Sequence, residues 1–256
     1  MKKLLSLAFC AAAAMSFAAD EITLDYEVGV IRIDLTDGQK NTIIAASFKD
    51  LETGGDISVA NLVKTTNLET GAQIIRYKAD GTHEAWILTE SKTWEKAAAT
   101  VTQGADGETT TGTGDDPSTT APTVGEGLWI VRGDNPTGNA VIALYGKYSA
   151  GRTSSYVSEK WNLLGNAGTE AYTFTTGMAG DKVVVARGGA LRQYEYDETK
   201  GWYYPTYTTE TVTILGNAQK VVSETKNTEN PNLAPGEGFW YYTKQPNGSL
   251  TWKDVQ

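Results

Sequence analysis

Cysteine and histidine are almost absent from this 256-residue sequence, which contains one of each. A single cysteine cannot form a disulfide within the chain, so burial and strand pairing must stabilise the fold. One histidine excludes most of the zinc sites and catalytic triads that depend on this residue. After the N-terminal segment, no apolar run is long enough for a membrane-spanning helix, so we do not expect an integral membrane protein.

Positive charge is also scarce. The chain has 22 Lys and Arg residues against 31 Asp and Glu residues, a net charge of -9 at pH 7. Phosphate backbones and anionic lipid surfaces attract proteins with the opposite balance. We therefore expect no nucleic-acid partner.

The N-terminus has the pattern of a secretory signal peptide. Two lysines precede the apolar run Leu4–Ala14, and small residues precede a cleavage site after Ala18. A lipoprotein site at Cys10 is disfavoured, because Phe9 is too large for the position before a modified cysteine. We predict that residues 1–18 are removed on export, which leaves a mature chain without cysteine.

Threonine, tyrosine and tryptophan are abundant, with 35, 13 and 7 copies. These residues favour pleated, half-buried surfaces. Apolar and polar residues alternate at Ile22–Val28, Val30–Leu35 and Thr211–Leu215, as in strands with one buried face. Only the segments 58–64 and 93–99 favour short helices. The sequence predicts an all-β fold with few short helices.

Short strings recur in order along the chain. GEGLW at 125–129 matches GEGFW at 236–240, 111 residues later, and GAQII at 71–75 matches GDKVV at 180–184, 109 residues later. Two looser matches pair 77–82 with 194–199 and 41–44 with 162–165. Ordered matches of this kind indicate an internal duplication. We predict two related antiparallel β-sandwich-like modules, 19–139 and 140–256.

The segment 103–123 differs from the rest because it is rich in Thr, Gly and Asp. Such a composition cannot bury a useful apolar face, so we predict a mobile loop within the first module. Its carboxylates leave open a calcium site, although they lack the alternating spacing of known calcium loops. The carboxylates in question are Asp106, Glu108, Asp115 and Asp116. We predict no metal and no cofactor.

The repeated Gly-Glu-Gly string has a structural interpretation. Glycines before an aromatic strand let the chain enter a sheet through a turn or bulge, and the tryptophan then packs in the core. The alternative is that the two tryptophans stack on sugars. The residues concerned are Gly125, Gly127, Trp129, Gly236, Gly238 and Trp240.

The segment 194–207 is the best candidate for ligand binding. Six aromatic residues lie among acidic and basic ones, as on an exposed platform where rings stack on sugars. The alternative is a hairpin whose alternate rings are buried. The candidate ligand-binding residues are Trp202, Tyr203, Tyr204, Tyr207, Tyr194 and Asp197.

Catalysis has little support in the sequence. His83 lies beside a predicted turn, and the repeat alignment places Lys200 at the equivalent position. No nucleophile elbow, phosphate-binding loop or zinc-protease string is present. A pair of distant carboxylates acting on glycosides leaves no local signature and remains a remote alternative. We assign no catalytic residues and predict that the protein is not an enzyme.

The strings WNLLGN at 161–166 and PGEGFW at 235–240 resemble a pattern of exported β-rich modules in Gram-negative bacteria, including the Bacteroidetes and Verrucomicrobia. The second half carries the pattern nearly whole, and the first half keeps only part of it. The resemblance implies secretion, β-sandwich architecture and a role at the cell surface or envelope. It implies no catalytic residues.

These observations together predict an exported, non-enzymatic structural or adhesive component of the bacterial cell surface or envelope. We expect it to self-associate or to bind other envelope components. The alternative is a carbohydrate-binding protein that recognises polysaccharide through the aromatic platform.

Overall fold

The computed structural model describes residues 28–63, 65–78, 80–97, 100–103, 109–112, 115–133, 136–148, 151–214 and 217–253. The predicted signal peptide 1–18 and the predicted strand Ile22–Val28, except its last residue, lie outside the described residues, as do Asp106 and Glu108. The regular secondary structure of the described residues is almost entirely β-strand, with a single short helix, so the all-β prediction is confirmed.

The first half contains ten strands and helix α1: β1 Val28–Leu35, β2 Asn41–Ala45, α1 Val59–Leu62, β3 Thr65–Thr66, β4 Gln73–Tyr77, β5 His83–Leu88, β6 Trp94–Lys96, β7 Thr100–Gln103, β8 Thr109–Gly112, β9 Gly127–Val131 and β10 Ala140–Lys147. The second half contains the other ten: β11 Thr153–Tyr156, β12 Trp161–Gly165, β13 Tyr172–Thr173, β14 Lys182–Arg187, β15 Ala190–Asp197, β16 Gly201–Ile214, β17 Asn217–Thr228, β18 Asn232–Leu233, β19 Gly238–Tyr242 and β20 Gly248–Thr251.

The two main antiparallel sheets have the same strand order. The first is β2-β9-β4-β5-β6, and the second is β12-β19-β14-β15-β16 with β17 added at its edge. In each half the strand of the main sheet that comes last in the chain, β9 or β19, inserts between the first two strands of that sheet, and a meander completes it. The shared topology gives the repeated strings a structural counterpart.

Smaller sheets cover one face of each main sheet. In the first half β1 pairs with β10, and in the second β11 pairs with β20. The sequence predicts that the second module begins at residue 140, which is the first residue of β10. The structure pairs the whole of β10 with β1 of the first half. By strand pairing, the equivalent units are therefore residues 28–147 and 153–251.

The main sheets bury side chains on both faces. In β9, Leu128 faces the small sheet of its own half and Trp129 faces the other half; Phe239 and Trp240 do the same in β19. The residues that face each other across the halves form a central core: Ile43, Ile75, Ala85, Ala97, Trp129, Leu163, Val184 and Trp240. The two halves therefore share one of the three hydrophobic cores that the described residues form.

Hydrogen bonds cross the junction in a reciprocal pattern. The Ala45 N–H donates to the carbonyl of Gly236 at 2.8 Å, and the Gly165 N–H donates to the carbonyl of Gly125 at 2.9 Å. Register makes Ala45 and Gly165 equivalent, since each pairs with the first residue of β9 or β19. The junction is thus approximately twofold-symmetric, like the interface of a symmetric dimer.

The Gly-Glu-Gly glycines permit this close approach. A Cβ on Gly127 would lie 2.5 Å from the Leu164 carbonyl oxygen, and one on Gly238 would lie 2.6 Å from the Ile44 carbonyl oxygen. Gly125 and Gly236 adopt positive φ angles of 92° and 77°, which favour glycine. Backbone contact between the halves is therefore the physical reason for the repeated glycines.

The two halves also compensate each other in side-chain size. Phe48 packs over Gly146 in the first half, whereas Trp252 packs over Gly168 in the second. The Lys49 N–H donates to the Lys147 carbonyl, and the Thr169 N–H donates to the Lys253 carbonyl. These matched bonds make Phe48 equivalent to Gly168 and Gly146 equivalent to Trp252. In each repeat one large side chain packs over a glycine, and the repeats differ in which of the two segments supplies it. Each site has room for one large side chain only.

Strand register corrects two of the sequence matches. Segment 77–82 lies in the β4–β5 turn but 194–199 lies in the β15–β16 turn, so the two are not equivalent. Asn41 is equivalent to Trp161 rather than to Asn162, because Asn41 and Trp161 are each the first residue of a five-residue strand whose last residues, Ala45 and Gly165, are equivalent. The 109-residue and 111-residue matches hold, because Ile75 and Val184 pair with Trp129 and Trp240.

Two local predictions also need revision. Helix α1 lies within 58–64 as expected, but 94–96 forms β6, where Trp94 pairs with Leu88 and is buried. Residues 115–123 of the predicted loop contact the folded body: the Asp115 carbonyl accepts the Trp86 indole N–H at 2.7 Å, and the Thr120 carbonyl accepts the N–H of the first residue of α1.

A substitution at the junction tests this packing. We expect Gly127→Ala to lower the free energy of unfolding by roughly 1–3 kcal/mol, because the new methyl group forces the two backbones apart. Urea unfolding followed by tryptophan fluorescence measures the change. Gly133→Ala is the matched control, since its nearest atom would lie 3.7 Å away. Equal stability of the two variants would contradict the close approach.

Candidate functional site

Three of the predicted platform rings are buried. Trp202 and Tyr194 are 1% and 2% exposed and belong to the core of the second half, and Tyr203 is 6% exposed. The Trp202 indole donates to the Thr176 carbonyl at 3.1 Å, as that of Trp94 donates to a loop carbonyl in the first half. Trp202 and Tyr194 point into the core, whereas Tyr203 points to the opposite face of the hairpin, where the Lys226 ammonium lies 4.5 Å above its ring. None of these three rings offers an open face to a sugar in this structure.

The remaining platform residues are more accessible but are not arranged as a stacking surface. Tyr204 is half-buried and lies under the Arg192 guanidinium, while Tyr207 is 64% exposed. The Asp197 carboxylate caps a turn: it accepts the Thr199 hydroxyl and backbone N–H, which lower its pKa. Only Tyr207 presents a largely open ring, so ligand binding by the whole set stays a prediction without geometric support.

The two motif tryptophans are core residues here. Trp129 is 6% exposed and Trp240 is 2% exposed, and their ring centroids lie 6.3 Å apart in an edge-to-face arrangement. Within the described residues neither indole N–H has a hydrogen-bond partner. Their rings pack between the main sheets, where a sugar has no access.

A long two-stranded arm extends from the second main sheet. Strand β15 pairs with β16 only as far as Tyr203, whereas β16 and β17 pair with each other up to Ile214 and Asn217. The hairpin arm, residues 204–214 and 217–227, is therefore roughly 35 Å long at about 3.4 Å per residue. Among the described residues, no strand pairs with the outer edge of β17.

A cleft opens at one end of the junction between the halves. It has a volume of about 560 Å³, within the range of small-ligand sites. The first half contributes the end of β4 and the loop before β9, and the second half contributes the edges of β11 and β12. We call it the junction cleft, and its charged lining residues are Lys49, Arg76, Lys78, Glu126 and Arg152.

The basic residues of the junction cleft are held in place by carboxylates and aromatic rings. Arg76 contacts Glu126 through two nitrogens, at 2.5 and 2.9 Å, and burial opposes its charge while these bonds raise its pKa. The Lys78 ammonium lies 2.7 Å from a Glu84 oxygen. Burial lowers the pKa of Arg152, whose guanidinium lies 4.6 Å above the Tyr148 ring.

The opposite end of the junction has a different lining. Strand register and matched backbone hydrogen bonds identify the residue of the other repeat that is equivalent to each basic residue of the cleft. Only one of the four equivalent residues is basic. For Lys49, Arg76, Lys78 and Arg152 the equivalents are Thr169, Val185, Arg187 and Gly29 respectively. The basic lining is therefore a property of one end and not a requirement of the shared fold.

His83 occupies a buried strand position. It is 7% exposed, pairs with Tyr77 across β4 and β5, and aligns with Leu191 rather than with the predicted Lys200. In the described part of the chain, no group of three or more His, Cys, Asp or Glu residues could hold a metal ion. No helix of that part is long and apolar enough to cross a membrane.

No family model, curated protein or solved structure matches the chain.

Sequence reasoning missed the hairpin arm and the junction cleft. The basic residues of the cleft come from positions 49, 76, 78 and 152, so no local motif marks them. A comparison of the repeats for positions that differ in charge is the signal that could have found them. That comparison needs the strand register, which the loose matches at 77–82 and 41–44 misplaced.

A pH titration tests the burial of His83. Burial lowers its pKa, so the folded chain binds a proton at this ring less readily than the unfolded chain, in which histidine titrates near pH 6.5. The unfolding free energy should therefore fall as the pH drops from 7 to 5, by at most about 1.4 kcal/mol per pH unit from this group. In His83→Leu, which copies the second repeat, we expect a shallower fall. Parallel pH profiles would contradict a buried neutral ring.

Proposed function

We propose that this chain is an exported, non-enzymatic structural or adhesive component of the bacterial cell surface or envelope. The observation that carries the proposal is the hairpin arm, whose outer strand β17 has an edge that no described strand pairs with. The predicted signal peptide and the resemblance of the second half to exported β-rich modules support the location.

The arm has the features of an assembly element. An isolated two-stranded ribbon is marginally stable in water, and an open strand edge is a template for pairing with another chain. Its described side chains are mostly exposed, including Tyr207 at 64% and Val222 at 61%. A partner strand would satisfy the open backbone groups and cover these side chains.

A second copy of this chain fits the edge of β17. In an antiparallel pairing about a twofold axis at Val222, each Lys220 lies opposite Glu224 of the other copy. Lys220, Val222 and Glu224 are exposed. They lie at every second position of a continuous strand ladder and therefore share one face of β17. An apolar pair flanked by two ion pairs makes this edge self-complementary.

Cell fractionation tests the location. We expect the native protein in the envelope or surface fraction, with its N-terminus at Ala19, because the signal peptide directs export. N-terminal sequencing and immunoblotting of the fractions measure both. A protein that stays in the cytosol with an intact N-terminus would overturn the proposed function.

Sedimentation velocity of charge variants tests the assembly. We expect the parent chain to associate and each of Lys220→Glu and Glu224→Lys to shift toward monomer, because like charges then face each other twice in the dimer. The double variant K220E/E224K should associate again, since it restores both ion pairs.

The controls are the reversals Lys200→Glu and Glu198→Lys in the β15–β16 turn, away from the edge of β17, which should leave association unchanged. A parent chain that is monomeric at all concentrations, or single variants that associate like the parent, would contradict pairing through β17. Envelope location with a monomeric chain would reject self-association alone.

A further inference from the structure

The junction cleft has a composition that neither the fold nor the proposed assembly requires. Four basic residues and one carboxylate line it, in a chain with 22 basic and 31 acidic residues. The repeat offers an internal control, because the same backbone at the other end of the junction carries Thr169 and Gly29 in place of Lys49 and Arg152. Packing explains Gly29, since a Cβ there would overlap the Tyr148 ring, but it gives no reason for Lys49 where the repeat has Thr169.

We propose that the junction cleft binds an acidic saccharide, a sugar chain that carries carboxylate or sulfate groups. This site is separate from the edge of β17, and the proposal goes beyond the structural or adhesive function. The ligand would lie between the halves, with its acidic groups toward Lys49 and Lys78 and a sugar ring against Trp161.

The two lysines supply the charge recognition. Their side chains are 28% and 38% exposed, and each contacts one carboxylate, that of Asp56 and that of Glu84. An ammonium group has three N–H donors, so one salt bridge leaves donors for a ligand. Arg76 is held by Glu126 and Glu84, which fixes its guanidinium at the wall of the cleft.

Other parts of the lining favour a saccharide over another anion. Trp161 is partly buried against the central core and contacts Tyr242 at 5.6 Å between centroids, so its ring is fixed in place. Such a ring can pack on the apolar face of a sugar. Thr153 and Ser155 on β11 add exposed hydroxyl groups to the same lining.

Isothermal titration calorimetry of the full chain tests the proposal. The probes are oligogalacturonate, sulfated dextran oligomers, neutral dextran oligomers of similar length and duplex DNA. We expect binding of at least one acidic probe, no binding of neutral dextran, and an affinity that falls with added salt because the contacts are ionic.

Variants of the lining locate the site. We expect K49Q/K78Q to weaken binding of the acidic probe by about tenfold or more, since hydrogen bonds to charged groups are strong contacts. Trp161→Ala should weaken it as well. Lys200→Gln removes the same charge from an exposed turn and should bind like the parent. Circular dichroism and thermal unfolding establish that each variant is folded.

Three results would overturn the proposal. The first is that the acidic probes fail to bind the parent chain. The second is that the folded K49Q/K78Q variant binds them as tightly as K200Q does. The third is that neutral dextran binds as well as oligogalacturonate. Binding of duplex DNA with higher affinity than either acidic sugar would also reject a saccharide in favour of a general polyanion site. None of these results bears on association through β17, which the sedimentation variants test separately.

Discussion

The structure depends on the contact of two backbones at the junction between the repeats. Ala45 and Gly165 donate reciprocal hydrogen bonds to glycine carbonyls of the opposite half, and the glycines that follow leave no room for side chains. Close packing brings Trp129 and Trp240 together in the central core. One constraint therefore explains the Gly-Glu-Gly strings, the central core and the symmetric arrangement of the main sheets.

The duplication also separates what the fold needs from what it does not. Positions that agree between the repeats, such as Trp94 and Trp202 with their indole bonds to loop carbonyls, maintain the cores. Most positions that differ are not required by the shared fold. The long arm of β16 and β17 and the basic lining of the junction cleft belong to the second kind, which is why we base both proposals on them.

The sequence was sufficient to predict an all-β chain with a duplicated unit, because alternation and repeated strings are local signals. The burial of Trp202 and Tyr194 could not be predicted, since the inward and outward faces of a hairpin depend on the sheet that covers it. The junction cleft was equally inaccessible, because Lys49 and Arg152 meet only when two halves pack. The strand at 94–96 shows tertiary pairing overriding the helix propensity of the following alanines.

Hydrogen exchange at increasing urea concentration tests the central claim that the halves fold as one unit. The backbone amides of Leu128 and Phe239 lie in the strands on either side of the central core. If the junction couples the halves, both amides should exchange through the same global unfolding, with equal free energies and equal dependence on urea. Exchange of one strand at lower urea while the other stays protected would contradict the account.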